Sequence, residues 1–73
     1  MSIEEAIRDI DTLFFREHEG SVFRYLTDSM ERPLLEKLMV YTRGNQLQAA
    51  RILGINRNTL RVKLKKYGLI GRT

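Results

Sequence analysis

Apolar residues return every three or four positions along nearly the whole chain, the spacing of helices packed by one face, and this predicts an all-α fold. Ile3, Ile7, Ile10 and Phe14 are spaced four, three and four apart, with Ala6 and Leu13 beside them. Ser2 followed by Glu5 forms a capping box, so the pattern predicts a first helix from Ile3 to Glu17. His18-Glu19-Gly20-Ser21 ends it: Gly20 suits the positive φ of a helix C-terminus, Ser21 suits the cap of the next helix, and His18 reads as a solvated loop residue. From Val22 the positions Phe23, Leu26, Met30, Leu34, Leu38 and Tyr41 keep the helical spacing, which predicts a long second helix. Pro33 lies within it, removes a backbone donor and crowds the preceding turn, so a kink is expected there, with a break into two helices as the alternative.

Two such helices carry more apolar surface than the rest of a 73-residue chain can cover. A chain of this size sits near the lower limit for one self-sufficient core, so the expected remedy is a homodimer whose first two helices intertwine as a four-helix bundle. Ile3, Ile7, Ile10, Phe14, Phe23, Leu26, Met30, Leu34 and Leu38 are its candidate interface residues. The expected organisation is a single domain over 1–73, with dimerisation helices in 1–42 and a second functional part in 43–73.

Charge divides along the same line. Residues 1–42 hold five lysines and arginines against nine acids, whereas residues 43–73 hold eight bases and no acid. One end of the domain is therefore built to attract a polyanion. In this basic part, Gly44 stops the long helix and Asn45, three residues before Gln48, caps a third helix from Gln46 to Leu53. Gly54-Ile55-Asn56 turns the chain, and Asn56 caps a fourth helix from Arg57 to Tyr67. Ala49, Ala50 and Leu53 form the packing face of the third helix, and Leu60, Leu64 and Tyr67 that of the fourth.

Two short helices about a glycine turn, the second of them basic, make a helix-turn-helix whose second helix enters the DNA major groove. Advancing about 100° per residue from Leu60 places Asn58, Thr59, Arg61, Val62, Lys65 and Lys66 on the side away from the packing face. Every charge there is positive, where a merely solvated helix mixes the signs. Arg57, Asn58, Arg61 and Val62 are candidate base readers: arginine forks to guanine, asparagine to adenine, and valine meets a thymine methyl, although an idle surface valine accounts equally well for Val62. Asn45, Gln46, Asn56, Thr59, Lys65 and Lys66 are candidate phosphate contacts, although capping alone also accounts for Asn45 and Asn56. Lys63 leans toward the packed side and covers it with its stem.

Other functional classes find no support. The chain has no cysteine and one histidine, with no carboxylate pair or glycine-rich phosphate loop, so no enzyme activity, metal or cofactor is expected. No apolar run approaches the roughly 18 residues that span a bilayer, and a cytoplasmic, nucleoid-associated protein is expected. A helical docking module whose basic end meets an acidic protein is the remote alternative to DNA binding.

The stretch ERPLLEKLMVYTRGNQLQAARILGINRNTLRVKLKKYG, residues 31–68, resembles the Fis family, which includes the nucleoid protein Fis and the C-terminal DNA-binding domains of NtrC-type activators. The resemblance implies a dimer with a proline-kinked second helix and two helix-turn-helix units in successive major grooves of one pseudo-palindromic site. It also implies that Asn45, Asn56, Arg57, Thr59, Arg61, Lys65 and Lys66 touch DNA. Leu47 departs from a hydroxyl that helps hold phosphate in Fis, and Val62 departs from a lysine. Fis has an N-terminal arm before its first helix, whereas this chain opens almost at the Ser2 cap. The expected role is therefore the DNA-binding and dimerisation domain of an NtrC-type, sigma-54-dependent activator with further domains elsewhere, and the alternative is a stand-alone, DNA-bending nucleoid protein.

Overall fold

The computed structural model describes residues 2–70; Arg72, one of the eight bases of the C-terminal stretch, lies outside them. Five helices follow one another: α1 (Ile3–Arg8), α2 (Thr12–Glu17), α3 (Val22–Tyr41), α4 (Gln46–Leu53) and α5 (Arg57–Lys66), with no strand among the described residues.

The all-helical expectation holds, but the expected four helices become five because the first is divided. Ser2 caps α1 as anticipated, its hydroxyl accepting the Glu5 N–H at 3.1 Å. Asp9 then closes α1, and the Asp11 carboxylate accepts the Phe14 N–H at 3.0 Å to start α2. Aspartate is a strong N-cap and a poor interior residue, so at position 11 the side chain competes with the backbone ladder and wins. Ile3 and Ile7 consequently sit on a different helix from Phe14, and one continuous apolar stripe is not formed.

The link to α3 also differs from expectation. Gly20 has the foreseen positive φ of 87°. Ser21, at the N-cap position, instead turns its hydroxyl back to donate to the His18 carbonyl oxygen at 3.2 Å. His18 is half-buried between two rings, with centroids 4.6 Å from Phe14 and 4.3 Å from Tyr25. Aromatic stacking across the loop fastens α2 to the first turn of α3, which is why His18 is not a solvated loop residue.

Pro33 does not break α3, which runs unbroken for 20 residues. The helix carries two apolar faces. Leu35 and Leu38 are buried against Ala49, Ala50, Leu60 and Leu64, with Met39, Leu53, Ile55 and Tyr67 around them. Leu38, one of the interface candidates, is thus buried in the core within the chain, and it also lines the apolar surface depression formed with Leu34, Lys37 and Tyr41. Three residues separate 35 from 38 and four separate 34 from 38, so position 38 borders both faces. Leu35, absent from the sequence-derived core, is among its best-buried members.

Past Tyr41 the chain reverses through Arg43 and Gly44, with φ of 55° and 82°. Two successive left-handed residues cannot continue a helix, and they deliver the chain to Asn45 for α4.

Candidate nucleic-acid interface

The helix-turn-helix is assembled from local capping. The Asn45 side chain accepts the Gln48 N–H at 3.0 Å and starts α4. Gly54, at φ 76°, ends that helix, and the Ile55 N–H reaches back to the Ala50 carbonyl at 3.1 Å. The Asn56 side chain then accepts the Asn58 N–H at 2.7 Å and starts α5. Leu60 and Leu64 are 0% exposed beneath α5, so the leucines fix which side of the helix faces outward. The expected fourth helix is recovered to Lys66, with Tyr67 as its C-terminal cap.

Every candidate on the outer side of α5 is solvent-exposed, but the structure sorts them into three rows. Arg57, Arg61 and Lys65, each four residues from the next, line an open groove of about 580 Å3 together with Gly44, Asn45, Gln46, Leu47 and Ile70. The N-terminus of α4 thus borders the same concavity as three cations, and its unpaired backbone N–H groups favour an anion there. Asn58 and Val62 stand on the crest, four apart, with Val62 68% exposed. Thr59 and Lys66 lie on the third row, toward α3.

The third row is where sequence reasoning fell short. The Lys63 ammonium donates to Glu31 at 2.6 Å, and the Lys66 ammonium donates to Asp28 at 2.8 Å. The Tyr67 hydroxyl is 2.7 Å from Glu31 and 3.2 Å from Asp28, and the Arg32 guanidinium donates to the Tyr67 carbonyl oxygen at 3.3 Å. Lys63 therefore does more than shield the core with its stem, and Lys66, a phosphate candidate, already has a carboxylate partner. Asp28, Glu31, Arg32 and Tyr67 form a polar clamp between α3 and α5. Its one sequence signal is matched spacing, two acids three apart on α3 and two lysines three apart on α5.

The clamp shifts its own titrations. The hydrogen bond from Lys66 holds the Asp28 carboxyl below its ordinary 3.8, helped by Tyr67 and opposed by partial burial. The hydrogen bond from Lys63 does the same for Glu31, ordinarily near 4.5. Burial, then hydrogen bonding to Glu31 and Asp28, pushes the Tyr67 phenol well above its usual 10. Depressed carboxyls stabilise the fold above their unfolded values and lose that contribution as pH falls through the lower, folded ones. A raised phenol contributes below the tyrosine range and loses it at higher pH. Thermal unfolding followed by circular dichroism is thus expected to show a stability plateau from about pH 5 to about pH 10. In Tyr67→Phe the alkaline decline should shrink.

Residues 28–67, more than half of the chain, match the family model of bacterial regulatory proteins of the Fis family. The chain belongs to the Fis family. Helices α4 and α5 are accordingly its DNA-binding helix-turn-helix, and its work is regulation through DNA binding. In this Fis-family domain the match begins at Asp28 and ends at Tyr67, so the clamp lies at the two limits of the matched segment. Leu47 and Val62, the two departures noted above, occupy the groove wall and the crest of α5.

Proposed function

We propose that this chain is the DNA-binding and dimerisation domain of an NtrC-type, sigma-54-dependent transcriptional activator, acting as a homodimer on a pseudo-palindromic site. The observation that carries the DNA contact is the row of Arg57, Arg61 and Lys65 beside the N-terminus of α4. Among the described residues none of the three has a carboxylate partner, so each is available to a phosphate or a guanine edge.

Apolar surface supports the dimer. Phe23 is 82% exposed and Tyr41 73%, with Met30 and Leu34 between them on one face of α3. Ile3 and Ile7 on α1 are also exposed. A stripe of this kind is characteristic of a protein interface. The crest of α5 supports a sequence-selective regulator over a nucleoid protein: apolar Val62 can meet a thymine methyl but adds nothing to sequence-independent phosphate binding. The same holds for Leu47 at the groove wall. Such a regulator acts in the nucleoid of the cytoplasm, with further domains elsewhere in the activator.

Selection of bound duplexes from a random pool, followed by salt titration on the selected site, tests this reading. The expected result is a two-fold symmetric consensus bound at least about 10³-fold more tightly than random duplex. Log affinity should fall linearly with log salt, by roughly 0.9 unit of slope per neutralised phosphate. Tight binding without a consensus would favour the nucleoid role, and no binding at low salt would leave the protein-docking alternative.

A further inference from the structure

Helix α5 carries five cations, and the structure divides them three to two. Arg57, Arg61 and Lys65 line the open groove, whereas Lys63 and Lys66 are paired with α3 carboxylates. The Lys66 ammonium is held twice, by Asp28 at 2.8 Å and by the Tyr67 ring, whose centroid is 5.2 Å away. Asp28 is itself fixed by the Tyr67 hydroxyl at 3.2 Å. We propose that Asp28 is an affinity-setting residue: it retains Lys66 on α3, so that α5 meets the DNA backbone with the Arg57, Arg61 and Lys65 row and without Lys66. This rests on the DNA-binding reading above.

The physical case concerns exchange. For Lys66 to reach a phosphate it must leave one oxyanion for another, a trade with little intrinsic gain. The trade also strands Asp28 unpaired beside incoming phosphates, where like charges repel. A lysine that arrives already neutralised releases no counterion from DNA, so it adds nothing to the salt dependence of binding. Glu31 does the same for Lys63, whose half-buried position already turns it from the outer face. Asp28 is thus the residue whose charge decides whether a fourth cation on the outer side of α5 is available. Confining the free cations to one row also limits sequence-independent affinity, which suits a protein that must leave random DNA to find its site.

The test is Asp28→Asn, which is isosteric and still accepts the Tyr67 hydroxyl, with folding verified by circular dichroism. Binding to random-sequence duplex is measured by fluorescence anisotropy across salt. The slope of log affinity against log salt is expected to steepen by about 0.9, an added loss of about 3.5-fold between roughly 50 and 200 mM salt. Adding Lys66→Ala to Asp28→Asn should cancel that change, and Asp28→Glu should keep the original slope. In the unsubstituted protein, the Lys66 Nζ resonance should stay in place on DNA addition while that of Lys65 moves.

An unchanged or shallower slope in Asp28→Asn would overturn the proposal. So would a steepening that survives Lys66→Ala, or a DNA-induced shift of Lys66 Nζ in the unsubstituted protein. Failure of the unsubstituted protein to bind at low salt is a separate outcome, which removes the DNA-contact reading itself.

Discussion

Truncation of Leu64 to alanine is expected to lower the free energy of unfolding by about 3 kcal/mol, measured by urea denaturation at fixed protein concentration. Leu60 and Leu64 are the only large side chains among the described residues that are fully buried, and together with two alanines they make the contact between α4 and α5. A domain of this length has roughly 4 to 11 kcal/mol in total, so the loss removes a large share of it. DNA binding should fall with the folded fraction although no cation is altered. A cost under about 1 kcal/mol would mean that the site can collapse around alanine, and that the helix-turn-helix is held by something other than this leucine pair.

Leu34→Asp is expected to convert the proposed dimer to monomer by analytical ultracentrifugation, and to weaken binding to a palindromic site by several orders of magnitude. Position 34 makes this variant informative, because its side chain is 44% exposed within the chain and is not part of the buried core cluster. A buried aspartate pair at a subunit interface, by contrast, places two like charges in a poorly solvated seam. Two linked half-sites bind far more tightly than one, so losing the second subunit costs most of the affinity. A dimer that persists with unchanged affinity would place the interface away from the outer face of α3.

How much of the domain could be read without coordinates varied along the chain. The bounds of α4, the turn at Gly54 and the start of α5 at Arg57 were all legible, because each depends on an asparagine cap or a glycine acting within three or four residues. The division between α1 and α2 was hidden by the isoleucine spacing, which continues across it, while Asp11 acts through its own backbone neighbourhood. Hydrophobic periodicity reports which positions can share a face and is silent on where the ladder is interrupted. His18 failed for a different reason: a lone histidine in a polar loop gives no hint that Phe14 and Tyr25 will close on it.

The same contrast runs through the site. Basicity, exposure and the outward side of α5 follow from the positions of Leu60 and Leu64 in one helix, so Asn58, Arg61 and Val62 were placed correctly from spacing alone. Which cations remain available did not follow. Lys65 and Lys66 are adjacent and chemically identical, yet one borders the groove and the other bonds Asp28.

From sequence alone, then, came the helical class, the helix-turn-helix with its caps, and the cationic outer side, all of them consequences of bonds and spacings within a turn or two. Only the tertiary structure decided that α3 buries Leu35 and Leu38 against the DNA-binding helices and leaves Leu34 exposed, and that Asp28 and Glu31 claim two lysines of α5. Those partners lie more than 30 residues apart in the chain. Nothing local brings them together: packing of the leucine core sets the angle between α3 and α5, and that angle selects which charges meet.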